Sequence, residues 1–170
     1  MNATISQFSV LLRSVLHNSR LEEINLKEEI KTIKNYIELE QKMTKNPFKY
    51  QIKTFLNAID MEEILIPSML LQPFIENSIK HGIYNIKEGK IIIKFEIKND
   101  FLNCSVEDNG KGFTNSNKTN ATHKSVAINV NKERIENLAG KNSFTIKEIK
   151  EKEIIKGTRI WFKLPLKTDF

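Results

Sequence analysis

Residues 91–113, IIIKFEIKNDFLNCSVEDNGKGF, carry the pattern from which the fold is read. Ile91, Ile93, Phe95 and Ile97 alternate with polar residues, as do Leu102, Cys104 and Val106. A period of two places each set on one face of a half-buried strand. Asn99-Asp100 between the two runs predicts a tight hairpin turn. The same parity aims Asp108 inward, where a carboxylate is costly unless something donates hydrogen bonds to it. Gly110 and Gly112 follow directly and permit positive dihedrals and close backbone approach. Taken alone, Asp108 is as readily an aspartate that caps its own turn.

On the N-terminal side, LLQPFIENSIKHG (residues 70–82) lies in a helix predicted over Ser68–His81 and ending at Gly82. Asn77, Lys80 and His81 share one helical face at spacings of three and four, while Leu71, Phe74, Ile75 and Ser78 approach the core. An amide oxygen suits a hard cation such as Mg²⁺, and a lysine one turn on suits phosphate. Before it, Asp60–Pro67 reads as a connector, and Phe48, Tyr50, Ile52 and Leu56 as a half-buried strand. On the C-terminal side, the polar run FTNSNKTNATHKS predicts a mobile loop. A helix from about Val126 to Leu138 comes next, with Ile128, Ile135 and Leu138 on one side. A terminal hairpin follows: Phe144–Ile149, a charged turn ending at Gly157, then Thr158, Ile160, Phe162 and Leu164 pointing inward. Thr158 therefore lies beneath the sheet near Asp108.

Two amphipathic helices open the chain. Ile5, Phe8, Leu12, Val15 and Leu16 mark the first. Asn25 caps the second, whose stripe is Leu26, Ile30, Ile33 and Ile37 with charges on the other side. They pack on the rest of the chain or form the stump of a dimerising helical hairpin. Two helices, then strands and helices alternating in this order, predict an α+β fold. It is a two-layer α/β sandwich whose mixed, mostly antiparallel sheet has helices on one face.

Composition excludes several classes. With 170 residues, 39% of them hydrophobic, the chain can bury a core. No apolar run approaches the ~20 residues of a membrane helix; if the parent protein is a membrane receptor, this segment is its cytoplasmic part. The excess of 27 basic over 21 acidic residues gives +6, but lysines and glutamates are interleaved. Interleaving marks solvated faces and argues against a nucleic-acid partner. Cys104, the one cysteine, reads as a small core residue.

In order and spacing, ENSIKHG, EDNGKGF and KGTRIWFKLPL resemble the N, G1 and G3 boxes of the ATPase superfamily that includes histidine kinases, gyrase B, MutL and the heat-shock chaperone. The runs LLRSVLHNSRLEEINLKEEIKTIKNYIELEQ, IPSMLLQPFIENSIKHG and HKSVAINVNKERIENL narrow it: nearly the whole chain is similar to LytS/YesM-type sensor histidine kinases. The resemblance implies a Bergerat-type ATP-binding domain over residues 46–170, preceded by a remnant of the dimerisation region over 1–45. It implies ATP and Mg²⁺ as ligands, with Asn77 on the metal, and Lys80 and His81 near the phosphates. Asp108 would accept from the adenine amino group, Gly110 and Gly112 would shape the pocket, and Thr158 would assist at the base. Phe113 to Lys124 would form a lid, with Ser125 beside it. Glu76, Lys80 and His81 would be the catalytic set, Glu76 acting structurally or toward an acceptor histidine.

The family's acceptor histidine lies in an NPHFLFN-like segment that this sequence does not contain, and His17 does not occupy its place. The implied partners are the histidine-bearing helices of a parent kinase, a response regulator, and a second copy through the N-terminal helices. Ala127 stands where the family has a glycine, a cost only if its φ is positive. The superfamily's hydrolysing members carry a glutamate one turn before the metal-binding asparagine; here that place is Pro73. A non-catalytic nucleotide- or partner-binding module and a hydrolysing ATPase of the same superfamily are the alternative functions.

Overall fold

A computed structural model of the chain describes residues 2–18, 22–112 and 121–170. The hairpin forms as the alternation dictates. Strands β4 (Gly89–Lys98) and β5 (Phe101–Asp108) pair antiparallel, with Ile93 opposite Val106 and Phe95 opposite Cys104. Asn99 and Asp100 take φ of 50° and 61°, both in the left-handed region that a two-residue turn demands. To β5 pairs β7 (Ile154–Pro165), to β7 pairs β6 (Phe144–Glu151), and to the other side of β4 pairs β2 (Phe48–Phe55), in parallel. The five-stranded order is β2-β4-β5-β7-β6. One face is buried: Ile91, Ile93, Phe95, Leu102, Cys104, Val106, Ile160 and Phe162 are each at most 1% exposed. The other carries Lys94, Glu96, Asn103, Ser105, Glu107 and Arg159.

Helices cover the buried face. α1 (Asn2–Asn18) packs on α2 (Leu26–Met43), and α2 begins at Asn25, whose side chain accepts from the Glu28 N–H at 2.9 Å. Leu26, Ile30, Ile33 and Ile37 are buried as expected. Glu29 departs from the expectation that this helix keeps its charges outward: it is 2% exposed. On α1, Leu11 is buried, whereas Ile5, Phe8 and Leu12 are exposed. The helix α4 (Ala121–Ala139) packs on β7 and β6 through Ile128 and Ile135. Leu138 is half exposed, although Asn131, seven residues before it on the same face, is buried.

Several boundaries differ from the sequence expectation. The supposed connector contains a strand, β3 (Ile64–Pro67). It joins β1 (Glu23–Asn25) and β8 (Lys167–Thr168) in a small second sheet of order β1-β3-β8. These strands are two to four residues long, too short for alternation to declare itself. The last helix starts at Ala121, inside the run read as a loop; residues 113–120 lie outside the described ones. The final hairpin turns at Lys152-Glu153, both with positive φ, and not at Gly157. Gly157 instead sits in β7 at a bulge, where the register slips between Ile149 and Lys150.

Candidate functional site

The nucleotide-box helix is shorter and less regular than its sequence suggests. After the turn Ser68–Leu71, the helix α3 spans Gln72–Asn77, with Pro73 in its first turn where no N–H partner is lost. Phe74 anchors it in the core, its ring 5.6 Å from those of Phe144 and Phe162. The helix then widens into a π-turn, Ser78–Gly82, closed by the Ile83 N–H donating to the Ser78 carbonyl at 2.9 Å. In a π-turn each residue advances by less than the 100° of an α-helix. The simple spacing of three and four that put Asn77, Lys80 and His81 on one face therefore does not carry through it. Asn77 and His81 are half-buried and Lys80 is exposed. Lys80 donates to Glu76 at 2.6 Å, so two of the expected catalytic residues form an ion pair with each other. Being half-exposed, the pair contributes only ~0.3–0.5 kcal/mol.

Asp108 ends β5 and is 4% exposed, flanked across the sheet by Ile91 on β4 and Thr158 on β7. Thr158 is 7% exposed, so the inward parity holds for both residues. One carboxylate oxygen of Asp108 accepts from the Gly110 N–H at 2.9 Å. The self-capping turn thus exists.

Three glycines let backbone crowd around this group. A Cβ on Gly82 would stand 2.8 Å from the Asp108 carboxyl carbon. One on Gly110 would stand 2.7 Å from Gly82 Cα and nearer still to the Gly82 carbonyl. One on Gly157 would collide with the Asp108 carbonyl. The Lys111 N–H donates to the Gly82 carbonyl at 3.3 Å, fastening the turn after β5 to the end of the π-turn. Gly112 has φ 76°, and a side chain there would meet Glu148 and Ile155 at 2.7 Å.

Gly82, Gly157 and Asn109 were not singled out from sequence. Asn109 accepts from the Lys90 N–H at 2.6 Å and donates to the Glu88 carbonyl at 2.9 Å, tying the turn to the start of β4. Its place between an inward aspartate and a glycine was the available signal. Of the remaining expected site residues, Phe113 lies outside the described residues. Lys124 and Ser125 fall on the α4 backbone, and their side chains are likewise outside what is described. Ala127 likewise falls on the α4 backbone, with its side chain outside what is described. Among the described residues no group of three or more His, Cys, Asp or Glu side chains could hold a metal ion, and no helix is long and apolar enough to cross a membrane. Cys104 is 1% exposed and its thiol is pushed well up by burial, which keeps it protonated and inert.

Comparison with known proteins agrees with this geometry. Residues 64–168 match the family model described as histidine kinase-, DNA gyrase B-, and HSP90-like ATPase, and residues 1–48 match that of histidine kinase. The sensor protein LytS of Staphylococcus epidermidis is 36% identical over 109 residues, 62% of this chain and 18% of that protein. LytS of Bacillus anthracis is 29% identical over 174 residues, 95% of this chain and 28% of that protein. The chain therefore spans less than a third of the length of these relatives. Among solved structures, the histidine kinase domain of the Erythrobacter litoralis EL346 blue-light activated histidine kinase superposes with a TM-score of 0.59. It is 12% identical, and the match covers 96% of this chain and 75% of that one. The Acinetobacter baumannii histidine kinase AdeS gives 0.57 at 16% identity, covering 95% of this chain and 78% of that one. The chain belongs to the family of histidine kinase-, DNA gyrase B- and HSP90-like ATPases.

Proposed function

We propose that this domain binds Mg-ATP between α3 with its π-turn and the end of β5, and passes the γ-phosphoryl group to a histidine outside this chain. The observation that carries the reading is Asp108: a carboxylate buried at the end of β5 beside Thr158, with the backbone of Gly82 and Gly157 packed against it. Asp108 accepts from the adenine amino group, Gly110 and Gly112 shape the pocket, and Thr158 supports the base. A single half-buried amide at Asn77, with no carboxylate cluster among the described residues, fits a metal that arrives with the phosphates and keeps several waters. Lys80 and His81, on the π-turn that follows Asn77, act toward the phosphates, with Phe113, Lys124 and Ser125 in the covering segment. Glu76 is directed toward the acceptor histidine and is held by Lys80.

Transfer breaks the bond from the γ-phosphorus to the bridging oxygen and forms one to an imidazole nitrogen, releasing ADP. Such chemistry asks the protein for positioning and charge neutralisation. The acceptor belongs to dimerisation helices of a parent kinase, of which residues 1–45 are a remnant, and a response regulator takes the phosphate onward. The exposed Ile5, Phe8 and Leu12 on α1 support pairing with a second copy there. A cytoplasmic setting follows from the need for ATP. The test supplies the chain with γ-labelled ATP and a separate fragment bearing an NPHFLFN-like segment. Acid-labile label on the fragment is expected. Label on neither component while ATP still binds would leave a nucleotide-binding module without transfer.

A further inference from the structure

Glu29 is a buried carboxylate that the nucleotide reading leaves unused. It stands in the first turn of α2 and is 2% exposed. Its carboxylate accepts hydrogen bonds from the backbone N–H groups of Leu71 and Met69. Both belong to the turn that leads into α3, and Met69 there has φ 59°. A left-handed residue among right-handed ones turns successive N–H groups to one side and makes a concavity for an anion. The residue preceding α3, Leu71, supplies no side-chain cap. Glu29 thus provides from a different helix the acceptor that the start of α3 lacks. Arg134 of α4 reaches the same turn, donating to the Ser68 carbonyl at 3.2 Å and favouring the ionised Glu29. Two turns further along α2, Tyr36 lies beside the carboxylates of Glu40 and Glu76, at the other end of α3. The two helices therefore run together from the turn before α3 to the residue before Asn77.

We propose that Glu29 is a positioning residue, which fixes the start of α3 against α2 and so transmits movements of the N-terminal helices to Asn77 and to nucleotide affinity. This rests on the reading of Asn77 as part of the nucleotide site. The groups facing Glu29 are the Met69 and Leu71 amides, Arg134 on α4 and the neutral Cys104 thiol on β5, with Tyr36 along its own helix. Burial pushes Glu29 up to about 7 against the opposing pull of the two amides and Arg134. When the contact opens, water returns the group to the ordinary carboxylate range. The docked arrangement accordingly loosens as pH rises from the ordinary carboxylate range through about 7.

The test measures Mg-ATP affinity by calorimetry at pH 6 and pH 8, and amide exchange at residues 69–77 without nucleotide. It uses the wild type, Glu29→Ala, Glu29→Gln, and Ile97→Ala as a destabilised control at the far end of β4. Glu29→Ala weakens Mg-ATP by about fivefold or more and speeds exchange at Met69 and Leu71. Glu29→Gln keeps an acceptor oxygen, stays within about twofold of wild type at pH 6, and loses the fall in affinity toward pH 8. Ile97→Ala melts earlier with unchanged affinity. Wild-type affinity and exchange in Glu29→Ala overturn the proposal, as does an equal loss of affinity in Ile97→Ala. If Glu29→Ala does not fold, the pH profile of Glu29→Gln decides, and a profile parallel to wild type overturns it. If the wild type binds no nucleotide, the nucleotide reading fails. Exchange at Met69 and Leu71 then judges Glu29 by itself, and unchanged protection in the variants sinks it.

Discussion

Gly110→Ala probes the joint between the two halves of the site. The added methyl would stand 2.7 Å from Gly82 Cα, and closer to the Gly82 carbonyl, against an ordinary separation of 3.4–4 Å. The nearest contact, 2.0 Å to the Gly82 carbonyl oxygen, must therefore open by about 1.4 Å to reach 3.4 Å. Neither retreats easily. Gly110 lies two residues past β5, which is held between β4 and β7, and Gly82 closes a π-turn flanked by the buried Ile79 and Ile83. The obstacle is backbone, so no side chain can swing away, and the Lys111–Gly82 hydrogen bond is strained as well. Overpacking of this kind costs ~3 kcal/mol, which for a chain of this length lowers Tm by ~6–12 °C. Because Gly82 also backs onto the Asp108 carboxylate, the displacement opens the base pocket and should weaken Mg-ATP by ~10-fold or more. Gly140→Ala is the control. Nothing lies within 4 Å of its would-be Cβ, and with φ +87° it pays only the left-handed backbone penalty of ~1–2 kcal/mol. Thermal unfolding and calorimetry on both variants decide. A Gly110→Ala protein that melts within about 2 °C of wild type and binds Mg-ATP equally well would refute the close-packed joint.

Three further outcomes are expected. Glu29 is raised from 4.5 to about 7 in the folded chain, so its contribution to stability is full below the unfolded value and is lost as pH rises through about 7. Glu29→Gln should therefore gain on wild type between pH 5 and pH 8, by up to ~3 kcal/mol at 1.36 per unit; urea-unfolding curves that stay parallel contradict this. Incubated with γ-labelled ATP and no other protein, the chain should remain unlabelled at His17, His81 and His123, and acid-labile phosphate mapped to His17 would reinstate the first helix as a substrate. ATP turnover should be slow, because Pro73 occupies the place one turn before Asn77 and Glu76 is paired with Lys80, which forgoes the ~10²–10⁴-fold a positioned base supplies. Steady phosphate release abolished by Glu76→Gln would move the chain to the hydrolysing class.

The parts of this fold legible in the sequence are those governed by a strict period. Alternation alone placed Asp108 beneath the sheet and Thr158 beside it, and the observed register sets them opposite each other. Local chemistry was equally readable at Asn25, where a capping side chain opens α2, and at Asn99-Asp100, where two residues tolerant of positive φ make the turn. What stayed hidden depends on distant partners. The strands β1, β3 and β8 are too short to show a pattern and exist because they find one another across the chain. The π-turn at Ser78–Gly82 has no marker among its residues; the helix widens where it meets β5. Glu29 looks like any charge on an amphipathic helix, and the amides of Met69 and Leu71, forty residues on, together with Arg134 make its burial tolerable. Gly82 looks like a helix terminator, yet its lack of a side chain serves Asp108.

The central claim is that Asp108 receives an adenine at this joint. Titration of Mg-ATP into wild type and Asp108→Asn by calorimetry tests it most directly. Wild type is expected to bind measurably and, because an amide replaces an acceptor-only group, Asp108→Asn is expected to fold but to lose at least ~1.5 kcal/mol, just over tenfold in Kd. Equal affinity in the two proteins would contradict it.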